Sequence, residues 1–114
     1  MLNPNYWEQI HGWFDFNDLY DDMVSRYGDG DHFVEVGAWL GKSVCYLATK
    51  IDLSGKKIKV DAVDIWKLEG NSADGAYDVI LKSYGGDIYE VFVQNIKNAG
   101  VDHIITPLRM TSFE

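Results

Sequence analysis

The sequence predicts an α/β domain built on a parallel sheet of about three strands with flanking helices. Three observations predict it. Helix-periodic and strand-like apolar segments alternate along the chain in the order helix, strand, helix, strand, helix, strand. Residues 32–44, HFVEVGAWLGKSV, read as a short buried strand that runs into a glycine turn and opens a helix. An acid, Asp64, ends the next strand, where a right-handed crossover brings it beside that turn.

The chain has 114 residues, enough for one small domain with its own core and short for a complete doubly wound enzyme fold. Residues 1–30 form a helical lead-in and residues 31–114 the strand–helix core. A 46% hydrophobic and 25% charged composition, without repeats or low-complexity runs, predicts a folded domain. The net charge of −8 argues against a nonspecific grip on nucleic acid or an anionic membrane. Cys45 is the only cysteine, so no internal disulfide forms, and no signal pattern or membrane-length apolar run is present. The expected setting is cytoplasmic, with a small-molecule substrate.

The elements follow in order. Residues 1–14 carry Tyr6, Trp7, Trp13 and Phe14 around Gly12 and read as an irregular or partly helical segment. Packing of these aromatics on the domain body outweighs a lid over the pocket. From 15 to 27, Phe16, Leu19, Tyr20, Met23, Val24 and Tyr27 fall at helical spacing, with Asp15 or Asn17 as cap and Gly28 as stop. Asp18, Asp21 and Asp22 on the other face read as a solvated acidic surface rather than a metal cluster.

The first strand holds Phe33, Val34 and Val36, and the turn after it contains Gly37 and Gly41. Glycines let backbone approach a ligand, and the N–H groups of the first helical turn favour an anion. Glu35 lies within the apolar strand, where a carboxylate needs hydrogen bonds or a cation. The second helix starts at Lys42 or Ser43 and buries Val44, Leu47, Ala48 and Ile51. The second strand covers about 58–65 and ends at Asp64, an acid placed to accept both hydroxyls of a ribose.

Residues 67–86 are rich in loop signals, with one helical piece around 76–82. Asp87 then caps a helix with the apolar stripe Ile88, Val91, Phe92 and Ile96, pairs with Glu90 as in a capping box, and Gly100 stops it. The last strand covers about 103–108, with Pro107 at an edge or bend.

Residues 35–43 spell ExGxxxGxS, which resembles the first motif of class I S-adenosylmethionine-dependent methyltransferases. In wording it is closest to the small-molecule O-methyltransferases and to the group that shares vEvGxxxGxS. The likeness extends to the lead-in, the Asp64-x-Trp66 after the second strand, the helix with Phe92 and Asn95, and the closing strand followed by Ser112. It implies a Rossmann-like fold, S-adenosylmethionine as cofactor, and methyl transfer to a small molecule or sugar-like acceptor. Glu35 and the turn residues Gly37, Ala38, Trp39 and Gly41 would border the methionine part, and Ser43 would hold its carboxylate. Asp64 would take the ribose hydroxyls, Ile65 and Trp66 would lie against the adenine, and Ser112 would contact its edge.

The pattern also departs from that family. A complete member has a seven-stranded sheet, and its fourth strand follows soon after the position of Ser112. The expectation is therefore the N-terminal, cofactor-binding half of a truncated class I methyltransferase fold, without metal ligands or a catalytic half. In the family's sheet order the first strand lies in the middle, with the second and third strands to one side and the fourth to the other; without the fourth, residues 33–36 would form an exposed apolar edge, which predicts a homo-oligomer paired through it.

His11, His32 and His103 have no shared spacing suited to a metal, and no residue is assigned as general base. Cys45 reads as a small buried side chain, and Lys42 as a surface residue more than a ligand group. Two other readings stay open. A nicotinamide-dependent oxidoreductase would use a similar cradle, although its fingerprint is G-x-G-x-x-G and the spacing here is Gly37 then Gly41. The chain would otherwise be a catalytically incomplete domain that binds the cofactor or only a protein partner.

Overall fold

The computed structural model describes residues 1–66 and 87–110. After a 3-10 turn, Tyr6–Gln9, the elements are α1 (Asn17–Arg26), β1 (His32–Val36), α2 (Lys42–Ser54), β2 (Lys59–Asp64), α3 (Ile88–Ala99) and β3 (Ile105–Arg109). The strands form one parallel sheet in the order β1-β2-β3, as the alternating pattern predicts for a partial Rossmann-like fold. The expected helical piece around 76–82 and the position of Ser112 lie outside the described residues.

Register explains which side chains form the core. Phe33, Val60 and Ile105 are aligned across the three strands and all three are buried, as is Ala62 beside Glu35. Against them pack Val44, Leu47, Ala48 and Ile51 of α2, and Ile88, Val91, Phe92 and Ile96 of α3, the residues whose spacing marks the two stripes. The alternate face of β1 carries Val34 and Val36, each 62% exposed. Pro107 lies in β3, an edge strand of this sheet, where its missing N–H interrupts no second ladder.

Helix α1 differs from its predicted stripe. Val24 is buried and Tyr20 and Met23 are partly so, but Phe16, Leu19 and Tyr27 stand at least half exposed. The helix leans on α2 with one narrow edge, and polar links complete the contact. The Tyr46 hydroxyl donates to Asp21 at 2.7 Å, so one aspartate of the acidic face is structural, while Asp22 pairs with Arg26 at 2.8 Å.

The ends of α2 and α3 follow the sequence signals, whereas α1 is capped by neither Asp15 nor Asn17: its N-cap is Phe16, without a side-chain hydrogen bond. Asp87 accepts the N–H groups of Tyr89 and Glu90, and Gly55 and Gly100 end α2 and α3 in left-handed conformations. Lys56 donates to the carbonyls of Val24, Ser25 and Tyr27, satisfying the C-terminal end of α1. The lead-in crosses the end of α3, where the Asn3 N–H meets the Ala99 carbonyl at 2.8 Å. Among the described residues, no helix is long and apolar enough to cross a membrane.

Candidate functional site

The carboxyl ends of β1 and β2 meet at the glycine turn. Val36 pairs with Val63 as the last β1–β2 rung, and the Gly37 N–H extends the ladder to the Val63 carbonyl at 2.8 Å. Asp64 thus lies beside Gly37, as the crossover argument predicts. The turn needs left-handed backbone at Gly37 (φ 80°), Trp39 (φ 47°) and Gly41 (φ 98°). Its two glycines serve different ends. A Cβ on Gly37 would enter open space, whereas one on Gly41 would stand 3.1 Å from the Phe92 ring. The Gly41 carbonyl then starts α2 by accepting the Cys45 N–H at 2.8 Å.

Glu35 faces the helices from the penultimate position of β1. Its Oε1 accepts the Tyr20 hydroxyl at 2.7 Å and its Oε2 the Ser43 hydroxyl at 2.9 Å, so one carboxylate joins α1, β1 and α2. Burial raises the Glu35 carboxyl above its ordinary range, while both hydroxyl donors pull it back down. The Tyr20 hydroxyl is raised by burial and by the adjacent Glu35. Cys45 lies fully inside α2, where burial and then the Glu35 charge push its thiol up to about 12. It is a protonated core side chain, not a nucleophile.

Asp64 organises the other flank. Its Oδ2 accepts the Trp39 N–H at 2.9 Å and its Oδ1 the Trp66 N–H at 2.8 Å. Both tryptophans have positive φ. A carboxylate has about four acceptor positions, so these two bonds leave capacity for further donors. Ile65 is half-buried, with its carbonyl taken by the Arg109 Nε at 3.3 Å. Trp66 departs from its expected place beside a ligand: its ring is only 2% exposed and packs on Tyr89 and Phe92. Its Nε1 donates to the Trp39 carbonyl at 2.5 Å, so it braces the turn from inside.

A cleft of about 190 Å³ opens at the turn. One wall is Gly37, Ala38, Trp39, Leu40, Lys42 and Ser43, and the other is His11, Gly12 and Trp13 of the lead-in. Of the sequence-predicted residues, the cleft gathers Gly37, Ala38, Trp39 and Ser43. Glu35 and Asp64 reach it through Ser43 and the Trp39 N–H, while Gly41 and Trp66 support it from behind. Hollows of about 350 and 320 Å³ lie elsewhere, between the 3-10 turn and α3 and between α1 and α2. Size does not favour them, because ligands of parallel sheets bind at the carboxyl ends of the strands.

Three supporting residues were not readable as such in the sequence. Lys42 donates to the carbonyls of Trp7, Glu8 and Ile10 and lies over the Trp7 ring, pinning the lead-in across the cleft. Asn95 is 8% exposed and donates to the Leu40 carbonyl at 2.9 Å while accepting the Tyr6 hydroxyl at 3.3 Å. Its signal was an amide in phase with the apolar stripe of α3. Tyr20, assigned to a core stripe, is a donor to Glu35, and only the fold brings the two together. Among the described residues, no group of three His, Cys, Asp or Glu side chains converges as a metal site would require. No family model and no curated protein matches the chain.

Proposed function

We propose that this chain forms the cofactor-binding half of an S-adenosylmethionine-dependent methyltransferase acting on a small-molecule or sugar-like acceptor. The observation that carries the reading is the pair of acids, Glu35 and Asp64, on adjacent parallel strands at either flank of a left-handed glycine turn that opens α2. The residues present fit the group. Gly37 leaves open space for close backbone approach, and the first N–H groups of α2 offer donors to a carboxylate, the Ser43 hydroxyl being held by Glu35. Asp64 keeps acceptor capacity for ribose hydroxyls, and the half-buried Ile65 next to it supports an adenine contact on that side.

A cleft of about 190 Å³ is smaller than the roughly 300–1,000 Å³ typical of ligand pockets, so it suits the methionine end alone. The adenosine end would then lie over Asp64 and Ile65. The acid ahead of the first glycine and the Gly37-to-Gly41 spacing favour this cofactor over a nicotinamide dinucleotide. When bound, the cofactor supplies an electrophilic methyl group, and the chain's part is to align it with the acceptor.

Calorimetric titration of the purified chain with S-adenosylhomocysteine, with NAD as control, tests the reading. Saturable binding of the first alone, weakened at least tenfold by Asp64→Asn, is expected. Binding of NAD alone would favour the oxidoreductase, and binding of neither would leave a partner-binding domain. We further propose self-association through β1, supported by its edge position and the exposure of Val34 and Val36. Sedimentation should show mass rising with concentration and falling back in Val34→Lys; a monomer at every concentration would overturn this.

A further inference from the structure

We propose that His11 is the proton-accepting residue of the cleft, taking the proton released when a hydroxyl of a small acceptor is methylated. The inference rests on the cofactor reading above and adds a residue to which the sequence assigned no role. His11 lines the same cleft as Gly37, Ala38 and Ser43, although it lies in the lead-in, far from them in sequence. Its place is fixed from three sides. The carbonyl of the preceding residue, Ile10, accepts from Lys42 at 2.9 Å, the Ile10 side chain is buried, and the imidazole stands edge-on to Trp39 with ring centroids 5.6 Å apart. Gly12 follows with a positive φ of 147°, and a Cβ there would stand 3.5 Å from the Trp39 ring, so the chain passes close to Trp39 with His11 and Trp13 both lining the cleft.

The other polar groups of the site are already committed. Lys42 is a donor held by three carbonyls. Glu35 has one hydroxyl on each oxygen, and Asp64, with one backbone N–H on each, has its remaining acceptor positions assigned to the ribose hydroxyls by the cofactor reading. The Cys45 thiol is sealed in the core. Among the described residues, no hydrogen bond engages the His11 imidazole, and the residue is exposed, so a proton taken from an acceptor can pass on to water. Histidine is also the residue type suited to proton exchange near neutrality.

The balance of the step is simple. The acceptor oxygen bonds to the methyl carbon, the carbon–sulfur bond breaks with its electron pair left on sulfur, and the hydroxyl proton moves to an imidazole nitrogen of His11. Trp13, 87% exposed at the mouth of the cleft, provides an aromatic surface outside it suited to a ring-bearing acceptor such as a phenol or a sugar.

The test needs no acceptor. Imidazole resonances of the three histidines are followed by NMR against pH in the S-adenosylmethionine and S-adenosylhomocysteine complexes, with His11 assigned by its loss in His11→Gln. The two ligands differ by the positive charge on sulfur. If His11 faces the reacting centre, its midpoint should be lower by about half a pH unit or more in the sulfonium complex, with His32 and His103 unmoved. Lys42 across the cleft, Glu8 in the lead-in, and Glu35 and Asp64 behind the turn carry the same charges in both complexes and cancel in the comparison. Equal His11 midpoints, with both ligands bound by calorimetry, would overturn the proposal and leave the cofactor reading standing. Failure of both ligands to bind would overturn the cofactor reading and this proposal with it.

Discussion

Asp64 and Trp39 are joined by a 2.9 Å bond from the Trp39 backbone N–H to Oδ2, which ties the middle of the glycine turn to the end of β2. The opposite oxygen holds the Trp66 N–H at 2.8 Å, and the Trp66 indole returns to the Trp39 carbonyl. Two bulky residues therefore keep left-handed backbone in a closed three-member network. Such a conformation costs a large side chain about 1–3 kcal/mol and persists only where the surroundings impose it. The carboxylate is the part of the surroundings that does so.

Removing that carboxylate should act on the fold before it acts on any ligand. Asp64→Ala leaves two backbone N–H groups without their acceptor and should lower stability by roughly 2–4 kcal/mol. Asp64→Asn keeps one acceptor oxygen and should cost about half as much. Urea denaturation of the two variants checks the ranking, and equal losses would show that the network is not held by the acceptors. The Asn variant is accordingly the one suited to ligand titration.

The strands, the three helices and the turn were legible because each rests on local signals: the spacing of Val44, Leu47, Ala48 and Ile51, the Asp87 cap, the stop at Gly100. The flanking acids were legible too, since parallel topology fixes where β2 ends relative to β1. The supports of the site were not. Tyr20 with Glu35, Lys42 with the lead-in carbonyls, and His11 with the turn are separated by 15 or more residues, and no local pattern encodes such meetings. Trp66 misled for the same reason: its sequence position beside Asp64 suggests a ligand wall, while its ring fills the gap between Tyr89 and Phe92.

Glu35 should leave a signature in the pH dependence of stability. Burial raises its folded-state carboxyl above the ordinary value of 4.5. Between those two values the folded chain holds more protons than the unfolded one, so this group's contribution falls as pH rises through the raised value. In urea midpoints measured from about pH 4 to about pH 8, the wild-type chain should lose stability relative to Glu35→Gln across that window. Tyr20→Phe removes a donor that favours the charged carboxylate, so it should steepen the loss. A constant difference between wild type and Glu35→Gln would mean that Glu35 titrates as it does in the unfolded chain.

Lys42 makes a different prediction, because its acceptors are carbonyls and not carboxylates. Lys42→Met keeps the stem over Trp7 but gives up three hydrogen bonds from an ammonium, and should cost about 2–3 kcal/mol. The loss should be local. Amide exchange ought to quicken in residues 1–14, with α2 and the sheet less affected. Uniform acceleration across the sheet would instead place Lys42 among the determinants of the whole fold.

The two glycines of the turn allow fold and site to be separated. Gly37 and Gly41 both have positive φ, so alanine at either position carries a left-handed penalty of about 1–2 kcal/mol. At Gly37 nothing stands within 4 Å of the added carbon, so that penalty is the whole effect on stability, and the methyl projects into open space beside the cleft. At Gly41 the methyl meets the fully buried Phe92 ring at 3.1 Å, which adds an overpacking cost of about 1–3 kcal/mol. Gly41→Ala should therefore be less stable than Gly37→Ala by at least 1 kcal/mol on these estimates, as read from thermal or urea melts. Affinity for S-adenosylhomocysteine should follow the opposite logic: Gly37→Ala, still folded, should bind at least tenfold more weakly because the methyl occupies the approach that the turn leaves open. A folded Gly37→Ala variant with unchanged affinity would show that the ligand does not come close to this turn, and would move the site away from the ends of β1 and β2.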